Sequence, residues 1–186
     1  MHYLISSNDI AGALGVGSRV IAEGEMLSFE EPWAFDAPLI ARVEDAAALD
    51  AVKSRAVGVA SAFAVEGFDE PGAGQAIVIA AHLMRDMEMF KPYAAAVPDV
   101  IKRFGGRFLA RAGKLTPVAG SFMPDRAILI EFPTADDAVA FYFSDVYAPL
   151  LKIRLAATDP RFGLVARSGR IPDSARAAVA RHLRAG

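Results

Sequence analysis

Four side chains in the C-terminal half, His82, Arg107, Arg111 and Glu131, carry the chemistry this chain could do. In Arg107 to Leu115 and in Arg126 to Phe132 polar and apolar residues alternate. Strand alternation then sets Arg107, Leu109, Arg111, Leu129 and Glu131 on one face of a sheet, with His82 and Arg167 expected beside them. Ile77, Ile79, Ala81, Phe108, Ala110, Ile128, Ile130 and Phe132 are expected on the opposite face, against helices. Arg107 and Arg111 would hold the carboxylate or enolate of a small substrate in bidentate fashion. His82 or Glu131 would move a proton. Tyr93, Tyr142 and Tyr147 would line the mouth and orient the ligand. The same residues also admit a structural reading, in which Arg111 and Glu131 face each other across a hairpin as an ion pair between packed units.

Other reactive types lack context. There are no cysteines, hence no disulfide, thiolate chemistry or cysteine metal site. His2 and His182 lie at the termini without spaced partners, so no metal and no cofactor are expected. Gly12-Ala13-Leu14-Gly15-Val16-Gly17 leads into a strand instead of following one and opening a helix, which fails the test for a phosphate loop. Met84, Met87 and Met89 read as core packing around the first helix of this half.

The elements that must hold the site follow from periodicity. Ala76 to Ala81 is a short apolar run of strand type. From Asp86 to Phe104, Phe90, Ala94, Val97, Ile101 and Phe104 recur at helical spacing, with Pro98 expected to kink or restart the helix. Gly105-Gly106 stops it. Two alternating strands, Arg107 to Leu115 and Arg126 to Phe132, come next. Thr134 with Asp137 reads as a capped helix start. A second segment carries Tyr147, Leu150, Leu151 and Arg154, and Phe162 to Ala166 closes as a strand. The order is βαββαβ, the ferredoxin-like pattern.

The first half repeats this order in reduced form. Ser18 to Glu23 lies 88 positions before Gly106 to Arg111. Pro38 to Val43, followed by Asp45 and an alanine-rich helix, parallels Ile128 to Phe132 and its helix. Val57 to Ala60 answers Phe162 to Val165, and Tyr3-Leu4-Ile5 would be the first strand. The expected division is a degenerate unit over 1–66, a linker over 67–74, a complete unit over 75–168 and a helical tail over 169–186. In that tail Ala175, Val179 and Leu183 form the apolar stripe. Trp33 and Phe35 sit in the first unit's hairpin connection.

Tyr93, Pro98, Gly106-Arg107-Phe108-Leu109-Ala110-Arg111-Ala112-Gly113, Ile130-Glu131-Phe132-Pro133-Thr134, Ser144-Asp145-Val146-Tyr147 and Arg154 form an ordered set. Over residues 75 to 168 it resembles family 1330 of the domains of unknown function, a branch of the dimeric α+β-barrel superfamily. That family usually has Gly where Ala112 stands and reads Ser-Pro-Glu-Tyr at positions 144 to 147. The resemblance implies two ferredoxin-like units closing a barrel face to face, usually as a homodimer, with the polar face inside. It implies no reaction: superfamily relatives include cofactor-independent monooxygenases, lactone isomerases, haem-dependent peroxidases and stress proteins without known catalysis. Joined to the internal repeat, it implies an α+β fold in which one chain supplies both tandem units of a pseudo-dimeric barrel, plus a C-terminal helix.

Composition bounds the partners. Of 186 residues, 54% are apolar and 23% charged, a globular balance, and no apolar run is long enough to span a bilayer. The start lacks the basic and apolar regions of a signal peptide, so a cytoplasmic location is expected. Residues 1 to 72 hold 12 acids and 4 bases, whereas the remainder holds 10 acids and 16 bases, so the halves can attract each other. The scattered arginines match no nucleic-acid motif. The expectation is a small carboxylate or phenolic ligand bound by the second unit, in a monomeric pseudo-dimer or a homodimer. The alternative is a non-catalytic assembly or stress-response module with a filled barrel.

Overall fold

The computed structural model describes residues 1–30, 33 and 37–185, with the side chains of 183–185 excepted; Phe35 and the Leu183 side chain therefore lie outside the described residues. The first half runs β1 (His2–Ser7), a 3-10 turn (Asn8–Ala13), β2 (Ser18–Glu23), β3 (Met26–Ser28), β4 (Pro38–Val43), α1 (Ala46–Arg55) and β5 (Ala62–Glu66). The second runs β6 (Ala76–Met84), α2 (Met87–Arg103), β7 (Arg107–Arg111), β8 (Leu115–Ala119), β9 (Arg126–Phe132), α3 (Ala135–Tyr142), α4 (Ala148–Ala157) and β10 (Thr158–Ala166). A tail helix, α5 (Asp173–Ala185), follows. Helix starts are chemically marked: Asp45 and Asp86 accept from the backbone N–H three residues on, and Thr134 with Asp137 completes a capping box.

Each half forms an antiparallel sheet in ferredoxin-like order, β2-β4-β1-β5 and β10-β6-β9-β7. Each sheet then gains a fifth strand from the other half. β8, from the connection between β7 and β9, pairs with β5, and β3, from the matching connection of the first half, pairs with β10. This reciprocal exchange stitches one chain into a pseudo-dimeric α+β barrel. Gly163 of β10 permits the β3 crossing, because a Cβ there would come within 2.5 Å of Met26 Sδ and 3.0 Å of Trp33 Nε1.

The barrel interior is packed. Tyr3, Ile5, Ile40, Phe63 and Val65 of the first sheet meet Ile77, Ile79, Leu109, Leu129 and Val165 of the second, and Trp33 completes this core. Helices α2 to α5 cover the outer face of the second sheet, and α1 with the 3-10 turn covers that of the first.

Several expectations change here. Ile77, Ile79 and Ala81 face the barrel, whereas Val78, Ala80 and His82 face the helices, the reverse of the expected sorting. The stretch Arg107 to Leu115 is two strands in two sheets, broken at Ala112, whose φ of 55° is left-handed. Val57 to Ala60 is a turn, and the closing strand of the first half starts at Ala62. Helix α2 continues through Pro92 and Pro98. The Ala94 carbonyl, four residues before Pro98 and so without its usual helical donor, accepts from Arg111 Nη2 instead. Met87 and Met89 are exposed, so neither belongs to the core.

Candidate functional site

A β-bulge decides where the two expected ligand-binding arginines go. β7 and β9 pair Arg107 with Glu131 and Phe108 with Ile130, but then Ala110 with Leu129, leaving Leu109 as an extra residue. Leu109 and Ala110 both enter the barrel core, and Arg111 is turned to the helix side with Phe108. Arg107 and Arg111 therefore lie on opposite faces of the sheet. The residue across from Glu131 is Arg107, and the one across from Arg111 is Ile128.

At the barrel mouth, Glu131 is nearly fully buried and both its oxygens are occupied. Arg107 Nε donates to Oε2 at 2.6 Å, the Gly72 N–H to Oε2 at 3.1 Å, and Arg167 Nη2 to Oε1 at 2.5 Å. Arg107 Nη1 also reaches Asp69 Oδ2 at 2.5 Å, and Arg167 Nη1 reaches the Gly72 carbonyl at 2.9 Å. Every charge here has a partner, and the partners tie the 69–72 segment to the second sheet. A carboxylate held this way is poorly placed to accept a substrate proton.

On the helix side a second polar cluster is built around Arg154 of α4, which is fully buried. Its guanidinium forks onto Glu30, from the segment following β3. Nη1 donates to Oε2 at 3.1 Å, Nη2 donates to Oε1, and Tyr142 Oη donates to Oε1 at 2.7 Å. Arg154 Nη1 lies 3.4 Å from His82 Nε2, and the guanidinium stacks on Phe162 at 4.9 Å. Tyr93 and Tyr147 hydroxyls stand 3.5 Å apart beside it. Burial first, then the Arg154 and Arg126 charges, push the His82 imidazole down to about 3. It is neutral at physiological pH and a weak base. Burial raises the Tyr142 and Tyr147 phenols above their ordinary range, so both are neutral too.

Between α2 and the outer face of the second sheet lies a cavity of about 30 Å³. Phe90, Tyr93, Val97, Phe108, Ile128 and Phe162 are among its walls, and Arg111 and Arg126 belong to its lining as well. Arg111 is exposed and Arg126 half-buried, so the two mark the mouth. Arg111 stacks on Phe108 at 5.0 Å and Arg126 on Phe90 at 5.4 Å. Burial, then the Arg111 charge, holds the Arg126 guanidinium below its ordinary value. Among the described residues no carboxylate lies within 4 Å of either arginine.

The seven residues singled out from sequence thus separate into three groups. Arg111 and Tyr93 line the cavity; His82, Tyr142 and Tyr147 surround Arg154; Arg107 and Glu131 sit at the barrel mouth. Sequence reasoning missed Arg126, Arg154 and Glu30 as site residues. Arg154 did carry a signal, since it shares a helical face with Tyr147 and Leu151, and a buried arginine demands a partner. Glu30, in an irregular segment far away in sequence, carried none.

Residues 75–167, half of the chain, match the family model described as Domain of unknown function (DUF1330). The chain belongs to that family. Its matched unit contains the cavity, Arg111, Arg126 and Arg154, while Glu30 comes from outside it. No curated protein matches the chain. Solved structures similar to it include a presumptive monooxygenase of Lactobacillus acidophilus NCFM, at 10% identity and a TM-score of 0.47, covering 89% of this chain and 92% of that one. An anthrone oxidase-like protein is similar at 8% identity and 0.48, covering 89% of each chain. A presumptive monooxygenase of Fusobacterium nucleatum subsp. nucleatum is similar at 9% and 0.47, covering 89% and 90%. No helix among the described residues is long and apolar enough to cross a membrane.

Proposed function

We propose that this protein binds a small organic acid in the helix-side cavity of its second unit. The apolar part of the ligand enters between α2 and the sheet, and its anionic group rests between Arg111 and Arg126. One observation carries the reading: two guanidinium groups flank an apolar cavity, and among the described residues no carboxylate lies within 4 Å of either. Like charges held close without a counter-ion are costly, and a bound anion offsets that cost. A cytoplasmic setting is part of the proposal as the default, since a cysteine-free chain suits either redox compartment.

The barrel interior is not a second candidate, because apolar side chains fill it. That filling favours the alternative reading, a scaffold or stress-response module that binds no small molecule. Calorimetric titration with propionate separates the two. Saturable binding that is lost in Arg111→Gln and retained in Arg107→Gln supports the ligand site. Absence of binding to the wild type favours the scaffold.

A further inference from the structure

The size of the cavity narrows the ligand class. A cavity needs about 10–15 Å³ to admit one water, and an engineered apolar cavity of about 150 Å³ binds benzene. At about 30 Å³ the cavity here is about a fifth the size of that one, which suits a short aliphatic tail better than a ring. The walls do not yield easily. Phe90, Val97, Ile101, Ile130, Phe141 and Phe162 are all buried and belong to the main core of the second unit. Interiors packed at crystal-like density resist expansion by the width of a ring.

The mouth selects the other end. A carboxylate is ionised at neutral pH and can accept from two guanidinium forks at once. A phenol is largely neutral there, and it brings a ring the cavity cannot hold. From the proposed site we infer that the cavity discriminates by length, taking a short aliphatic monocarboxylate such as propionate or butyrate and excluding aromatic acids and phenols. This rests on the organic-acid reading above.

The test is a titration series at constant ionic strength with acetate, propionate, butyrate, hexanoate, benzoate, phenol and inorganic phosphate. Affinity is expected to rise about fourfold per carbon from acetate to butyrate and then to fall. Benzoate and phenol are expected to bind at least about tenfold more weakly than butyrate. Val97→Ala enlarges the cavity and should move the optimum toward longer chains. If hexanoate or benzoate binds tightest, or phosphate equals butyrate, the length inference is overturned, though the anion site remains. If nothing in the series binds, the organic-acid reading itself fails.

Discussion

Glu30 and Arg154 form a buried ion pair that joins the two halves of the chain, the acid from the segment after β3 and the base from α4. It is the innermost of several attractions between an acid-rich first half and a base-rich second. Asp69 with Arg107 and Glu25 with Arg176 are others nearer the surface. Removing one member of a buried pair strands the other charge, which typically costs 3–5 kcal/mol. Glu30→Ala is therefore expected to destabilise the protein by about 3–5 kcal/mol in urea unfolding. Glu30→Met combined with Arg154→Met should recover most of that loss, because both charges leave together.

The break between β7 and β8 gives a prediction of opposite sign. Ala112 holds a left-handed φ of 55°, a conformation that costs a residue with a Cβ about 1 kcal/mol or more. Ala112→Gly should stabilise the protein by about 0.5–1 kcal/mol, less whatever the freer unfolded chain gains. A rise in the urea midpoint with an unchanged slope would show it.

That break also marks the limit of what is legible in the amino-acid sequence. The βαββαβ order, the helix caps and the tandem repeat all leave local marks, in periodicity and in Ser/Thr/Asp placement. Face assignment leaves none in β6, where Ala76 to Ala81 is buried on both sides and has no polar residue to set the phase. The bulge at Leu109 is equally silent, yet it alone moves Arg111 across the sheet. Alternation continues from Arg107 into Leu115, so nothing in the pattern announces that β8 leaves for the other sheet. The pairing of Arg154 with Glu30 is a tertiary fact and has no signature along the chain.

His82 should make stability fall in acid. Its folded value is depressed to about 3, whereas an unfolded histidine titrates near 6.5. Between those limits the unfolded chain binds the proton and the native protein does not. Stability therefore rises with pH through this window, and is lost as pH drops below about 6.5 by up to about 1.4 kcal/mol per unit. Proton NMR should find the His82 imidazole neutral at pH 5. His82→Gln should flatten the unfolding free energy over pH 4–6.

The barrel-mouth cluster is expected to serve stability and not binding. Glu131→Gln removes the charge shared by Arg107 and Arg167 and should cost about 1–3 kcal/mol. Organic-acid affinity, measured on the folded variant, should not change. A loss of affinity with stability intact would move the site to the barrel mouth.

The most direct measurement of the central claim is the arginine Nε–H region of a nitrogen–proton correlation spectrum, with residues assigned, during titration with butyrate. Binding in the helix-side cavity predicts saturable shifts at Arg111 and Arg126, with Arg107 and Arg167 unmoved and sodium chloride at equal ionic strength without effect. Shifts confined to Arg107 and Arg167, or no saturable shift at any arginine, would contradict it.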